Sequence, residues 1–107
     1  MNKNTNQEKV LKHIVLFGFK DEISEAQLND ITDAFSNLPN EIDLIKSFEW
    51  GTDISPEGKQ RGHTHAFVMS FSSEKDRDDY LIHPTHQEFG KLVDPALETV
   101  TVIDYWT

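Results

Sequence analysis

His63-Thr64-His65-Ala66-Phe67-Val68-Met69-Ser70-Phe71 alternates with a period of two. His65, Phe67, Met69 and Phe71 fall on one side, Ala66 and Val68 on the other, which is the pattern of a β-strand. Working upstream, Gly51 to Arg61 is a polar loop around the turn signal Ser55-Pro56-Glu57-Gly58, and Leu44 to Trp50 reads as a strand with Leu44, Phe48 and Trp50 toward one side. Val10 to Lys20 is a further strand, and its run Ile14-Val15-Leu16-Phe17 is apolar on both faces, so both must be covered. Between these two strands Ser24 is a good N-cap with Gln27 as its capping-box partner. The helix it opens carries Leu28, Ile31, Ala34, Phe35 and Leu38 on one face, and Pro39-Asn40 is expected to end it. Downstream of Phe71, Ser72-Ser73-Glu74 starts a short helix through about Ile82. Pro84 restarts it with an apolar stripe of Phe89, Leu92, Val93 and Leu97, and Val100 to Trp106 is the last strand.

The order strand, helix, strand, strand, helix, strand is the split pattern of ferredoxin-like α+β folds. It predicts about four mainly antiparallel strands with the helices on one face. Ile14, Leu16, Ala66, Val68, Val100 and Val102 supply apolar groups at alternate positions, so some face away from the helices. Bare apolar sheet on so short a chain calls for another subunit, and a homodimer packed sheet on sheet is expected.

A chain of 107 residues accommodates one domain, expected over residues 10–107 behind a disordered polar tail at 1–9. Acidic residues number 19 against 10 basic ones, a net charge of −9. Such a surface repels phosphate backbones and anionic lipid, which argues against nucleic-acid and membrane-surface roles. Cysteine is absent, which removes disulfides, thiol nucleophiles and thiolate metal sites together. The first nine residues lack the apolar core of a signal peptide and no run is long enough to cross a bilayer, so a cytoplasmic location is expected.

Tyr80-Leu81-Ile82-His83-Pro84-Thr85-His86 carries the most chemistry. Proline suits the first helical position, because the N–H it lacks would have no partner there. His86 therefore lies in a first turn, where the partial positive charge of the helix end disfavours imidazolium. A neutral imidazole can accept a proton, so His86 is a candidate general base.

Five blocks spread over residues 10–106 together carry a resemblance: Lys12-His13-Ile14-Val15-Leu16-Phe17-Gly18-Phe19-Lys20, Phe48-Glu49-Trp50-Gly51, Gly62-His63-Thr64-His65-Ala66-Phe67, Tyr80 to Phe89, and Ile103-Asp104-Tyr105-Trp106. In order and spacing the chain resembles the stress-responsive dimeric α/β-barrel family, Dabb. The resemblance implies a ferredoxin-like protomer whose sheet pairs with a partner's to make a barrel. It also implies an activity without a cofactor, since the family includes a plant polyketide cyclase. In that enzyme a strand-one histidine, a tyrosine and the second histidine of a His-Pro-x-His motif line a pocket between sheet and helices. By motif these fall on His13, Tyr80 and His86, and the histidine of the Thr-His pair falls on His65. A first-helix tyrosine of that pocket is replaced by Phe35, one polar group fewer.

Three functions follow as expectations. In the first, a small, partly apolar molecule binds in each protomer and undergoes cofactor-independent cyclase or lyase chemistry. His86 removes a proton beside a carbonyl, Tyr80 and His13 position the substrate and stabilise the oxyanion, and His65, Phe35, Phe89 and Val15 line the pocket. In the second, the protein is a non-catalytic stress-response or ligand-binding dimer whose histidines bond the local backbone, as His83 before Pro84 is placed to do. The third, a cofactor-free oxygenase, rests on fold analogy. The pairs His63/His65 and His83/His86 have chelating spacings, but no zinc signature accompanies them, and no metal is expected. Trp50, Trp106, Phe48 and Phe67 read as core more readily than as a ligand platform. There is no glycine-rich phosphate loop and no nucleophile elbow.

Overall fold

The computed structural model describes residues 9–107, so the expected tail lies outside the described residues except for Lys9. The chain runs β1 (Leu11–Phe19), α1 (Glu25–Glu41), β2 (Ser47–Thr52), β3 (His65–Phe71), α2 (Glu74–Leu81), α3 (Pro84–Val93), a 3₁₀ turn (Asp94–Ala96) and β4 (Leu97–Trp106). The strands form one sheet in the order β2-β3-β1-β4, antiparallel throughout. This is the ferredoxin-like arrangement the alternation predicts. Among the described residues no helix is long and apolar enough to cross a membrane.

The core sits between one sheet face and the helices. Leu11, Val15, Phe17, Phe67, Met69 and Phe71 project from β1 and β3 onto Ile31, Phe35, Leu38, Tyr80, Phe89 and Val93. Phe35 is its hub, stacking on Phe67 at 4.3 Å between centroids and touching Phe17, Phe48 and Phe89. The capping box forms as read: Gln27 N–H donates to Ser24 Oγ and Ser24 N–H to Gln27 Oε1.

Several boundaries differ from the sequence expectation. α1 passes through Pro39 and ends at Glu41, because a proline in the last turn forfeits only one bond and buried Ile42 closes the helix by donating to the Leu38 carbonyl at 2.8 Å. Leu92 does not join the apolar stripe. It stands 45 % exposed while Phe89 and Val93 make the contact with the sheet side. β4 begins at Leu97 rather than Val100, since Lys20 N–H donates to the Ala96 carbonyl and Phe19 pairs with Leu97.

The second sheet face is uncovered in the protomer. Ile14, Leu16, Ala66 and Val68 are half-buried there, and Ile103, opposite Ile14, is 57 % exposed. Val100 and Val102 do not belong to it. They pair with Phe17 and Val15, so they point to the helix side, at the edge strand beyond the helices' cover.

Candidate active site

β1, β4, α2 and α3 enclose a cavity of about 640 Å³ on the helix side of the sheet. The register places His13 opposite Asp104 and Val15 opposite Val102, so the strand side of the cavity has an apolar floor with one polar end. α2 brings in Arg77 and Tyr80, three residues apart on one helix face. α3 starts at Pro84, with His83 as N-cap accepting from the Thr85 N–H at 3.1 Å. That places His86 in the first turn and Phe89 one turn on, both lining the cavity.

Six of the seven residues expected at the site therefore share one cavity: His13, Tyr80, His86, Phe35, Phe89 and Val15. His65 is not among them. It lies near the outer end of β3, its ring parallel to Trp50 and edge-on to Phe19, beside a second cavity of about 490 Å³ lined by the 51–64 loop. Burial lowers its pKa.

Each imidazole at the site is fixed by its Nδ1. A carboxylate only accepts, so the His13 Nδ1–H donates to Asp104 Oδ1, at 2.7 Å. Arg77 Nη1–H donates to the other oxygen, Asp104 Oδ2, at 2.6 Å, and Arg77 Nε–H donates to Asp78 Oδ1 at 2.9 Å. The His86 Nδ1–H donates to the Leu81 carbonyl at 3.0 Å. In the neutral ring each Nε2 then carries the lone pair.

The Tyr80 ring lies between them, 6.0 Å from His13 and 4.5 Å from His86 by centroids. Its hydroxyl has no hydrogen-bond partner among the described residues. Burial holds the phenol far above its ordinary range, so it stays protonated and can donate. Burial likewise lowers the pKa of His86, the bond to the Leu81 carbonyl partly opposing it. Together these supply a neutral base, a phenolic donor and a carboxylate-anchored second imidazole around a mostly apolar space. Among the described residues no three His, Cys, Asp or Glu side chains are grouped to hold a metal ion.

Asp104 and Arg77 were assigned no role from sequence. Asp104 does extend the period-two set Val100, Val102, and a carboxylate at the end of an apolar strand face is the signal that marks it.

A two-layer α+β protein with an imidazole- and phenol-walled chamber between sheet and helices is the class these features define. Residues 11–107 match the model of the Dabb family, the stress responsive A/B barrel domain, and the chain belongs to that family. It is 38% identical over 95 residues to the stress-response A/B barrel domain-containing protein HS1 of Arabidopsis thaliana, covering 89% of this chain and 87% of that protein. Olivetolic acid cyclase of Cannabis sativa is 37% identical over 95 residues, covering 89% and 94%. Among solved structures, hydroxynitrile lyase from Passiflora edulis superposes with a TM-score of 0.88 at 32% identity, covering 94% of this chain and 95% of that one. A dimeric protein of unknown function and ferredoxin-like fold from Bacteroides fragilis gives 0.72 at 27% identity, covering 90% and 94%.

Proposed function

We propose that this protein is a cofactor-independent acid–base catalyst, a cyclase or lyase acting on a small, partly apolar molecule in the chamber of each protomer, and that two protomers pack sheet on sheet. The observation that carries the catalytic reading is the tethering of His86: its Nδ1–H is bound to the Leu81 carbonyl and burial favours its neutral form, so Nε2 is left as a base beside the Tyr80 ring. His86 takes a proton from carbon next to a carbonyl, or from a hydroxyl whose oxygen then forms a carbonyl as the bond from that carbon to the leaving group breaks and its electron pair departs with the leaving group. Tyr80 donates its O–H to the oxygen on which negative charge develops, and His13, held by Asp104, fixes the substrate from the strand side. The relatives whose names state a cyclase and a hydroxynitrile lyase support chemistry of this class. The uncovered apolar face and the dimeric Bacteroides relative support the assembly.

The test uses two probes, deuterium exchange at the central carbon of benzoylacetone and cyanide release from mandelonitrile. The native protein is expected to accelerate at least one, and His86→Asn to abolish that acceleration while keeping its melting temperature. Failure to accelerate either probe, with the methyl signals of Val100 and Val102 shifting on addition of benzoylacetone, would instead establish a binding protein.

A further inference from the structure

We infer that the chamber selects uncharged ligands and turns away carboxylates and phosphates, because the arginine on its wall is already occupied. This rests on the reading that ligands enter the His13–Tyr80–His86 chamber. An arginine lining a pocket ordinarily signals an anionic substrate, since its five N–H donors match a carboxylate or phosphate. Among the described residues Arg77 is the one Lys or Arg side chain on this wall. Its Nη1 is bound to Asp104 at 2.6 Å and its Nε to Asp78 at 2.9 Å. Both contacts are ion pairs, so its charge is more than neutralised in place.

Asp94 completes the charged lining from the end of α3. One guanidinium against three carboxylates leaves the wall at −2 while the imidazoles are neutral. The whole chain, at −9, adds potential of the same sign. A ligand anion entering here meets that field in a partly dehydrated space, where charges are screened less than in bulk water. Apart from His13, Tyr80 and His86, the rest of the lining is mostly apolar: Val15, Phe35, Phe89, Val93, Val100 and Val102 offer dispersion contacts and nothing that solvates an anion. Charge that appears during turnover is a separate matter, since it develops within reach of the Tyr80 hydroxyl.

The experiment compares an isosteric pair, 4-acetylbenzamide and 4-acetylbenzoate, titrated at about pH 8, well above the ordinary histidine range. The methyl signals of Val100 and Val102, which line the chamber, report binding. The carboxylate is expected to bind about tenfold more weakly than the amide at about 20 mM salt, and the gap to shrink to about twofold near 0.5 M. Asp94→Asn should narrow it at low salt. Asp78→Asn should narrow it further, because it also leaves the Arg77 guanidinium with one carboxylate partner instead of two. Equal or tighter binding of the carboxylate, a gap indifferent to salt and to both variants, or no binding of the amide would overturn the inference. Discrimination without turnover of benzoylacetone or mandelonitrile would refute the catalytic reading alone; turnover without discrimination would refute this one alone.

Discussion

His86 can serve as a base only in its neutral form, and its surroundings set when that form is present. Burial moves its pKa below the ordinary histidine value while the Leu81 carbonyl partly restores it. The unfolded chain therefore takes up the proton at higher pH than the folded one. Stability linked to His86 is present in full above pH of about 6.5 and is lost as pH falls through the lower folded value. We expect proton-abstraction activity to be flat above neutrality and to fall on the acid side below about pH 6.5, with the melting temperature falling in the same window. In His86→Asn the acid-side drop in melting temperature should become shallower; an unchanged slope in a pH series of thermal melts would show that another group is responsible. Tyr80→Phe separates packing from chemistry. The ring is almost wholly buried and its hydroxyl unpartnered among the described residues, so the variant should melt within a degree or two of the parent. Its rate on whichever probe is turned over should fall about 10²–10³-fold, the cost of losing one oxyanion donor. Residues of this kind were legible because local spacing reveals them: Pro84 announces a helix start, and His86 and Tyr80 are placed relative to it. Asp104 was not, because its role depends on pairing with His13 across 91 positions of sequence, and neither residue's neighbourhood announces the other.

At the level of elements, periodicity, an apolar run and helix-start signals mark the four strands and three α-helices of the described residues, and the differences sit where a tertiary contact outweighs a local signal. Pro39 ordinarily stops a helix, yet the burial of Leu38 and Ile42 carries α1 one turn past it. Leu92 keeps the helical spacing of a core residue, but it lines a surface cleft with Ile23, Ile31 and Ala96 and stays partly exposed there. Val100 and Val102 could not be assigned a face until the register of β1 with β4 was known, because a slip of one residue exchanges the two sides. That register shifts between Gly18 and Phe19, next to a position that only glycine fits. A Cβ there would sit 2.3 Å from the Gly62 carbonyl oxygen and 2.4 Å from Thr99 Oγ1, so the 51–64 loop closes over β1 only because this side chain is absent. Neither atom is the far end of a flexible side chain. Gly18→Ala should therefore cost about 1–3 kcal/mol, the range for overpacking a tight contact. Urea titration would measure it, and amide exchange should show the loosening at Gly62–Thr64, where Thr64 N–H now donates to the Phe17 carbonyl. A loss below about 0.5 kcal/mol would mean that the loop moves aside freely.

For the whole molecule the question is what covers the far face of the sheet. Ile14, Leu16, Ala66, Val68 and Ile103 lie together there, the first four on the central strands β1 and β3 and Ile103 on edge strand β4, where no helix reaches. Each large aliphatic group fully withdrawn from water contributes about 1.5–3 kcal/mol, so a handful of them on each of two copies is enough to offset the entropy of association. A twofold axis would use the same patch twice, and one substitution would therefore act twice in the assembly. Ile103→Glu places a carboxylate on that patch directly opposite Ile14, with no cation across from it and Lys12 only at the diagonal position. Burying two such unpaired charges costs more than the lost aliphatic contact, so the variant should sediment as a monomer at micromolar concentration where the parent is expected to sediment as a dimer. Leu92→Glu is the control: it is equally apolar and nearly as exposed but sits on α3, across the protomer from the sheet's bare side, and should remain dimeric. The chamber lies within the protomer, on the opposite face of the sheet from the proposed contact. Monomeric Ile103→Glu should therefore still bind 4-acetylbenzamide, with the Val100 and Val102 methyl signals shifting as in the parent. Loss of binding together with the dimer would mean that the second copy braces β4, and with it Asp104 and His13, from behind.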